Sequence, residues 1–302
     1  AAGERDFGLI SGEQVLAARA NGRPVVSIYE WFQKYPVGIV YPDGVGIRTV
    51  EDLAGRNVGI PGRFGASYSG LTALLAANGM TEQDLDLEEI GYNAADVFCV
   101  GGVEASVIYV NNEPIQIAHR AAQGDCGDVA EVGVFHVSDA VDMVSNGVVT
   151  SEAMIAENPD LVRRLVAAFD AGLRSVIENP AEAYLLSAAH VEGLPLSAEL
   201  RAALETAAAE QAAWLEATPD ASREDLAARR IALLETLQGQ LNADDLVQFE
   251  VLLSSIDLWD ADQLGYADPA SWAVTQDVLL SMGYIPEASD SSAAFTNDFL
   301  PE

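Results

Sequence analysis

Hydrophobic positions along the first half of the chain switch repeatedly between a strand-like and a helix-like period. Residues 58–60 form a short apolar run closed by Pro61-Gly62. The stretch that follows sets Tyr68, Leu71, Leu74 and Leu75 on one helical face until Gly79 stops it. This is strand, glycine-bearing turn and helix, half of a βαβ unit. Residues 7–10 followed by Ser11-Gly12-Glu13 repeat the arrangement, with Ser11 predicted to cap a helix that runs through Ala20. Further apolar runs at 25–28, 37–41, 86–90, 105–110, 129–137 and 147–150 predict strands, and 94–101 predicts a helix. Beyond Asn158-Pro159-Asp160 the pattern is helical. Asn179-Pro180 ends one helix and starts another, and residues 197–256 are helical almost throughout, with Ser222-x-x-Asp225 as a capping box. A last helix is predicted over 270–282. Trp214 and Trp259 are assigned to the core of this part. The fold class is α/β with a helical C-terminal part.

Ligands of open α/β sheets sit beyond the carboxyl ends of the strands. The loop carrying Gly62, Gly65, Ser67 and Tyr68 is such an end, and the amides of Gly65, Ala66 and Ser67 would face an acceptor there. The strand at 105–110 ends in Asn111-Asn112-Glu113-Pro114. The two loops are expected to leave parallel strands on the same edge of one sheet, so Ser67, Tyr68, Asn112 and Glu113 should converge on one crevice. The aromatic cluster Tyr29, Trp31, Phe32 and Tyr35 reads either as core or as a platform for a flat ligand. Gly-x-x-Gly-x-Ser is neither a Walker loop nor a dinucleotide fingerprint, and its glycines could serve only to turn the chain.

Composition narrows the function. The 302 residues are 50% hydrophobic and 21% charged, a globular balance, and no apolar run is long enough to span a bilayer as a helix. Net charge is −32, and Lys34 is the single lysine, so nucleic acid and anionic lipid are excluded as partners. Cys99 and Cys126 could pair in an oxidising compartment or stand as two unrelated thiols. None of His119, His136 and His190 sits in a recognisable nucleophile elbow, and no Cys or His spacing suits a metal. These residues favour holding a ligand over transforming it: no catalytic residue, metal or cofactor is expected. A strand beginning almost at residue 7, with no signal peptide before it, leads us to expect a chain cut off upstream.

Residues 31–40 (WFQKYPVGIV), 46–71 (GIRTVEDLAGRNVGIPGRFGASYSGL), 109–117 (YVNNEPIQI), 265–285 and 294–301 together resemble one family. They are similar to the periplasmic substrate-binding proteins of ABC importers related to thiamine-pyrimidine synthase, which include carriers of thiamine pyrimidine precursors and of riboflavin. The resemblance implies the type II periplasmic-binding fold, with two lobes that close on a ligand about a hinge. One lobe would be residues 48–145, and the other 1–47 plus 146–302, with crossings near 37–41 and 148–151. The family's first strand-helix pair is not matched here. The resemblance also implies an extracytoplasmic monomer, lipid-tethered or free, that passes a small aromatic heterocycle to a membrane permease. Tyr68 with Trp31 or Tyr35 would stack on the ring and Glu113 and Asn112 would read its polar edge, while Ser11, Ser67 and the backbone from Gly65 through Ala66 to Ser67 would hold the remainder. A thiamine pyrimidine precursor is the expected ligand, with riboflavin the alternative. The synthase enzyme is a further alternative, but its Cys-rich motif is absent and only Lys34 could hold a pyridoxal phosphate. A sulfonate or nitrate receptor of the same fold would want basic residues at the crevice, where only Arg63 stands beside the loop.

Overall fold

The computed structural model describes residues 5–301. The first four residues and the last, which the expected lobe boundaries take in, lie outside the described residues. Residues up to Ala167 together with those from Gln263 onward make one compact unit, and Ala168–Asp262 make a second.

The first unit is built on two sheets. The smaller has three antiparallel strands, β1 (Gly8–Ser11), β8 (Asn146–Ser151) and β2 (Val25–Glu30), in the order β1-β8-β2. The larger orders β5 (Asp86–Glu89), β4 (Asn57–Ile60), β6 (Ala105–Tyr109), β3 (Val37–Pro42) and β7 (Val132–His136) as β5-β4-β6-β3-β7. Here β4 is parallel to β5 and β6, as the spacing predicts, while β3 is antiparallel to β6 and β7. The segment expected as a crossing at 37–41 is therefore a ladder strand of the larger sheet. The chain passes between the sheets at 31–36 and returns at 137–145.

Strand periodicity explains how the larger sheet is covered on both faces. Ile39 and Val107 join Val58, Ile60 and the helix α2 (Gly65–Ala77) through Leu71, Leu74 and Leu75, while their neighbours Val40 and Ile108 face the opposite cluster. Each of those buried leucines contributes about 2 kcal/mol of transfer free energy. The opposite cluster is formed by α3 (Ala94–Cys99) and α4 (Glu113–Gln123) through Phe98 and Ile117. In it Cys99 and Cys126 are joined as a disulfide. On the small sheet, α1 (Gly12–Ala20) and α11 (Pro269–Ser281) pack Val15, Leu16, Trp272 and Leu279 with Val149, and Trp272 stacks on Phe295 at 5.3 Å between ring centroids. After β8 come α5 (Glu152–Glu157) and α6 (Pro159–Glu178), the latter running from the first unit into the second.

The second unit adds α7 (Pro180–Ser187), α8 (Ala198–Ala217), α9 (Arg223–Gln238) and α10 (Ala243–Trp259). Asn179 caps α7 as the sequence predicts, and Ser222 and Asp225 form both bonds of the capping box at α9. Tyr184 packs edge-on against Phe249, and its hydroxyl donates to the carbonyl of Pro195 at 2.6 Å. Trp214 and Trp259, expected as core, are only half-buried. Trp214 serves instead as a platform for the guanidinium of Arg229, 4.4 Å from the ring centroid, whose Nε donates to Gln211 at 2.6 Å.

The disulfide yields a stability prediction. It closes a stretch of 27 residues inside the cluster of α3 and α4. Reducing it, or replacing both cysteines with serine, is expected to cost about 3 kcal/mol. Thermal unfolding followed with and without a thiol reductant checks this, and equal midpoints would refute it.

Candidate functional site

Three helices of the first unit begin at strand ends, and their first turns carry the polar residues of interest. At the end of β1, Ser11 occupies the N-cap position of α1, but its hydroxyl does not cap the helix. It donates to Glu13 Oε1, a correction to the predicted cap. Between them Gly12 lies so close to Val144 that a Cβ would come within 2.5 Å of its side chain, and its N–H donates to the carbonyl of Ser145 at 3.0 Å. Glu13 is left with no exposed surface, and Oε2 has no hydrogen-bond partner among the described residues. Burial pushes its carboxyl up to about 7, against the opposing pull of the Ser11 hydroxyl and its own backbone N–H.

The second helix, α2, starts at Gly65 with φ of +64°, a left-handed geometry that favours glycine, and no side chain caps it. A Cβ on Gly65 would meet the amide of Gln14 at 3.2 Å, so the first turns of α1 and α2 lie side by side. Tyr35 is buried beneath them and its hydroxyl donates to the carbonyl of Ala66 at 2.9 Å. Burial, then the nearby Glu13 carboxyl and Tyr109, hold the Tyr35 phenol well above its usual range.

The third helix, α4, starts beyond β6. The Glu113 carboxylate turns back to accept from the backbone N–H of Tyr109 at 2.9 Å, and its carboxyl is raised by burial. The side-chain oxygen of Asn112 accepts from Gln116 at 2.7 Å. Tyr109 is the link between the ends: burial raises its phenol, the amide of Asn146 donates to it at 3.4 Å, and it feels the carboxyls of both Glu13 and Glu113. Asn146 lies opposite Ser11 in the β1–β8 ladder, and its carbonyl accepts from Trp31 and Phe32 N–H. Glu30, at the end of β2, is buried with its carboxyl held well above the usual range by burial and by Asp142. It accepts from the backbone of Ser145.

The structure thus gathers Ser11, Tyr35, Gly65, Ala66 and Glu113 around Glu13, Tyr109 and Asn146, with Ser67 buried in the first turn of α2. Trp31 reaches the group through its backbone, while its ring lies 5.1 Å from that of Phe32. Tyr29, Phe32 and Tyr35 are buried, which resolves most of that aromatic cluster as core. Tyr68 goes elsewhere. Its hydroxyl donates to Glu82 at 2.9 Å, and it lines a cavity of about 380 Å³ with Thr72, Met80, Met282 and Tyr284. The polar neighbours of Tyr68 and those of Glu113 have no member in common. Tyr284 also borders an open depression of about 590 Å³ that reaches Gln14, Phe64 and Gly65. Phe64 and Tyr284, 55% and 42% exposed, are its aromatic rim. Sequence reasoning missed Glu13, Tyr109, Asn146 and Phe64. Of these, Glu13 carried a signal, since it follows Ser11-Gly12 at a strand end, but it reads as an ordinary first-turn acid.

The family model described as "NMT1/THI5 like" matches residues 1–183. Riboflavin-binding protein RibY of Chloroflexus aurantiacus is 32% identical over 298 residues, which is 98% of this chain and 70% of that protein. The 4-amino-5-hydroxymethyl-2-methylpyrimidine phosphate synthase of Legionella pneumophila is 26% identical over 186 residues, 61% of this chain and 56% of that enzyme. The chain thus spans little more than half the length of the synthase it matches. Among solved structures, the periplasmic aliphatic sulphonate binding protein SsuA of Escherichia coli superposes with a TM-score of 0.54 at 16% identity, over 97% of this chain and 75% of that one. The ligand-binding component of an ABC-type import system from Staphylococcus aureus does so with a TM-score of 0.58 at 10% identity, over 99% and 80%. These likenesses show the periplasmic-binding-protein fold. With its two sheets, its helices rising from strand ends and a family match over more than half its length, the chain belongs to the NMT1/THI5-like family.

Proposed function

We propose that this protein is the solute-binding component of an importer, holding a small aromatic heterocycle outside the cytoplasm and presenting it to a membrane permease. The observation that carries the reading is the similarity to a riboflavin-binding protein over nearly the whole chain. The geometry supports it. Helices α1, α2 and α4 begin without a side-chain cap, as short α3 does, whereas α5 and α7 to α11 are capped by Ser151, Asn179, Ser197, Ser222, Asn242 and Asp268. At the start of α2 the uncapped first-turn amides are donors waiting for ligand acceptors, whereas in α1 the Gly12 N–H is held by Ser145 and the Glu13 N–H by its own carboxyl. The two sheets serve as cores of two lobes, and the passages at 31–36 and 137–145 act as the hinge that admits the ligand. Ser67 and the Gly65–Ser67 backbone hold polar atoms of the ring with Ser11 behind them, Asn112 and Glu113 lie at its edge, and the aromatic rim of Phe64 and Tyr284 joins Trp31 for stacking, whereas Tyr35 is core and shapes the site through its bond to Ala66.

The disulfide suits an oxidising, extracytoplasmic setting. It also occupies both cysteines, leaving no thiolate for the Cys-rich motif of a synthase, which favours binding over catalysis. Between the two ligands, the near full-length match to RibY makes riboflavin the first to test, with the pyrimidine precursor of thiamine beside it.

Titration calorimetry of the purified chain with riboflavin and with 4-amino-5-hydroxymethyl-2-methylpyrimidine tests the proposal. At least one is expected to bind one-to-one with a Kd of about 1 µM or tighter, and binding of neither overturns it. A second prediction follows from the placement of Tyr68. Tyr68→Phe removes only the bond to Glu82 and is expected to leave affinity within about twofold, whereas Tyr109→Phe should weaken it about fivefold or more. Equal effects of the two variants would contradict this division of roles.

A further inference from the structure

We propose that Glu13 is a ligand-contacting residue: its unpartnered Oε2 accepts a hydrogen bond from an N–H of the heterocycle, of the kind a ring imide or a pyrimidine amino group offers. The inference rests on the receptor reading above and names the group on the protein that selects the ligand.

A fully buried carboxyl oxygen with no partner is rare, because leaving it unsatisfied costs the whole desolvation of that atom. The residues around Glu13 leave Oε2 without a donor. On its own turn, Ser11 and the Glu13 backbone N–H are already engaged with the carboxyl, and Gln14 lies at Gly65. From the passage between β2 and β3 comes Tyr35, whose hydroxyl is committed to Ala66. From β6 comes Tyr109, which receives the Asn146 amide, with Glu113 behind it. Ahead of β8 lies Ser145, whose N–H serves Glu30, whose carbonyl holds Gly12, and whose hydroxyl is itself buried without a partner among the described residues, a second polar atom at this turn that awaits one. No cation is among the causes that set the Glu13 carboxyl, so the acid is not one half of a structural ion pair. Gly12, wedged against Val144, fixes the bearing of the first turn of α1, which carries Glu13.

A ligand N–H meeting Oε2 favours the carboxylate, whereas the buried group in the empty protein holds its proton up to about pH 7. Ligand binding near neutrality therefore releases a proton. The sign follows: below the empty-state value the ligand must first displace the proton, so affinity weakens as pH falls.

The test is calorimetry with riboflavin, whose imide stays neutral over the range used, and with the aminopyrimidine at pH 8. For the wild type, riboflavin affinity is expected to rise about tenfold from about pH 6 to about pH 8. About half a proton should be released at pH 7, read from the dependence of the heat on buffer ionisation. Glu13→Gln keeps an acceptor for Ser11 but sets an amide donor against the ligand donor. It should lower affinity about tenfold or more at pH 8, remove the pH dependence, and melt no lower than the wild type at that pH. If the wild type binds only the aminopyrimidine, proton release and the loss in Glu13→Gln are read with that compound. If the wild type binds and Glu13→Gln binds as tightly with the same pH profile, the Glu13 assignment is overturned and the receptor stands. If the wild type binds neither compound, the receptor reading fails and the assignment falls with it. Should Glu13→Gln not fold, proton release by the wild type decides: its absence overturns the assignment.

Discussion

Asn146 holds the site together. It opens β8, a strand that enters more than a hundred residues after β2 and yet lies between β1 and β2 in the small sheet. Its register places Asn146 opposite Ser11, its carbonyl receives the N–H groups of Trp31 and Phe32, and its side-chain amide reaches Tyr109 on the larger sheet. One residue thus ties the end of β1, the exit from β2 and the end of β6. The entropy of closing so long a loop grows only slowly with its length, so the ladder formed by β8 on both flanks offsets it. Without that return, β1 and β2 would be two unpaired edges, and the turn carrying Ser11 and Glu13 would have no wall behind it.

The parts legible in the sequence were those decided locally. The period of apolar residues located nearly every strand and helix, and the parallel pairing of β4 with β6 followed from two strand-turn-helix units in succession. Asn179 and Ser222 cap as their side chains dictate, because a cap depends on three neighbouring residues. Ser11 shows the limit of that rule. Its sequence is that of a cap, but the hydroxyl turns to donate to a buried carboxyl two residues on, and in that orientation its oxygen accepts from no helix amide. Glu13 itself was illegible, since its burial depends on Val144 and Ser145, which no local pattern brings beside it. Tyr68 follows the same logic. The helix phase put it at the mouth of the loop, whereas the acid that captures its hydroxyl, Glu82, lies beyond the far end of that helix.

The charge of the chain and the chemistry of the site point the same way. A net charge of −32 sets a negative field over the whole molecule, and inside it the site adds Glu13, Glu30 and Glu113, each with its carboxyl raised by burial. Arg63, the basic residue beside the glycine loop, is spent on Glu82 and Glu89. An anion entering here would meet carboxyls already raised by burial and, at Glu30, by Asp142, and it would oppose the ionisation of each. The uncapped amides of α2 favour acceptor atoms, but neutral carbonyl and ring-nitrogen acceptors satisfy them without that penalty. A fold shared with a sulphonate-binding protein therefore does not carry over its ligand. On the receptor reading proposed above, a flat neutral ring with both N–H and C=O or ring nitrogen on its edge would meet donors on a helix turn and acceptors on carboxyls, and the acidic wall would oppose an anion in the same place.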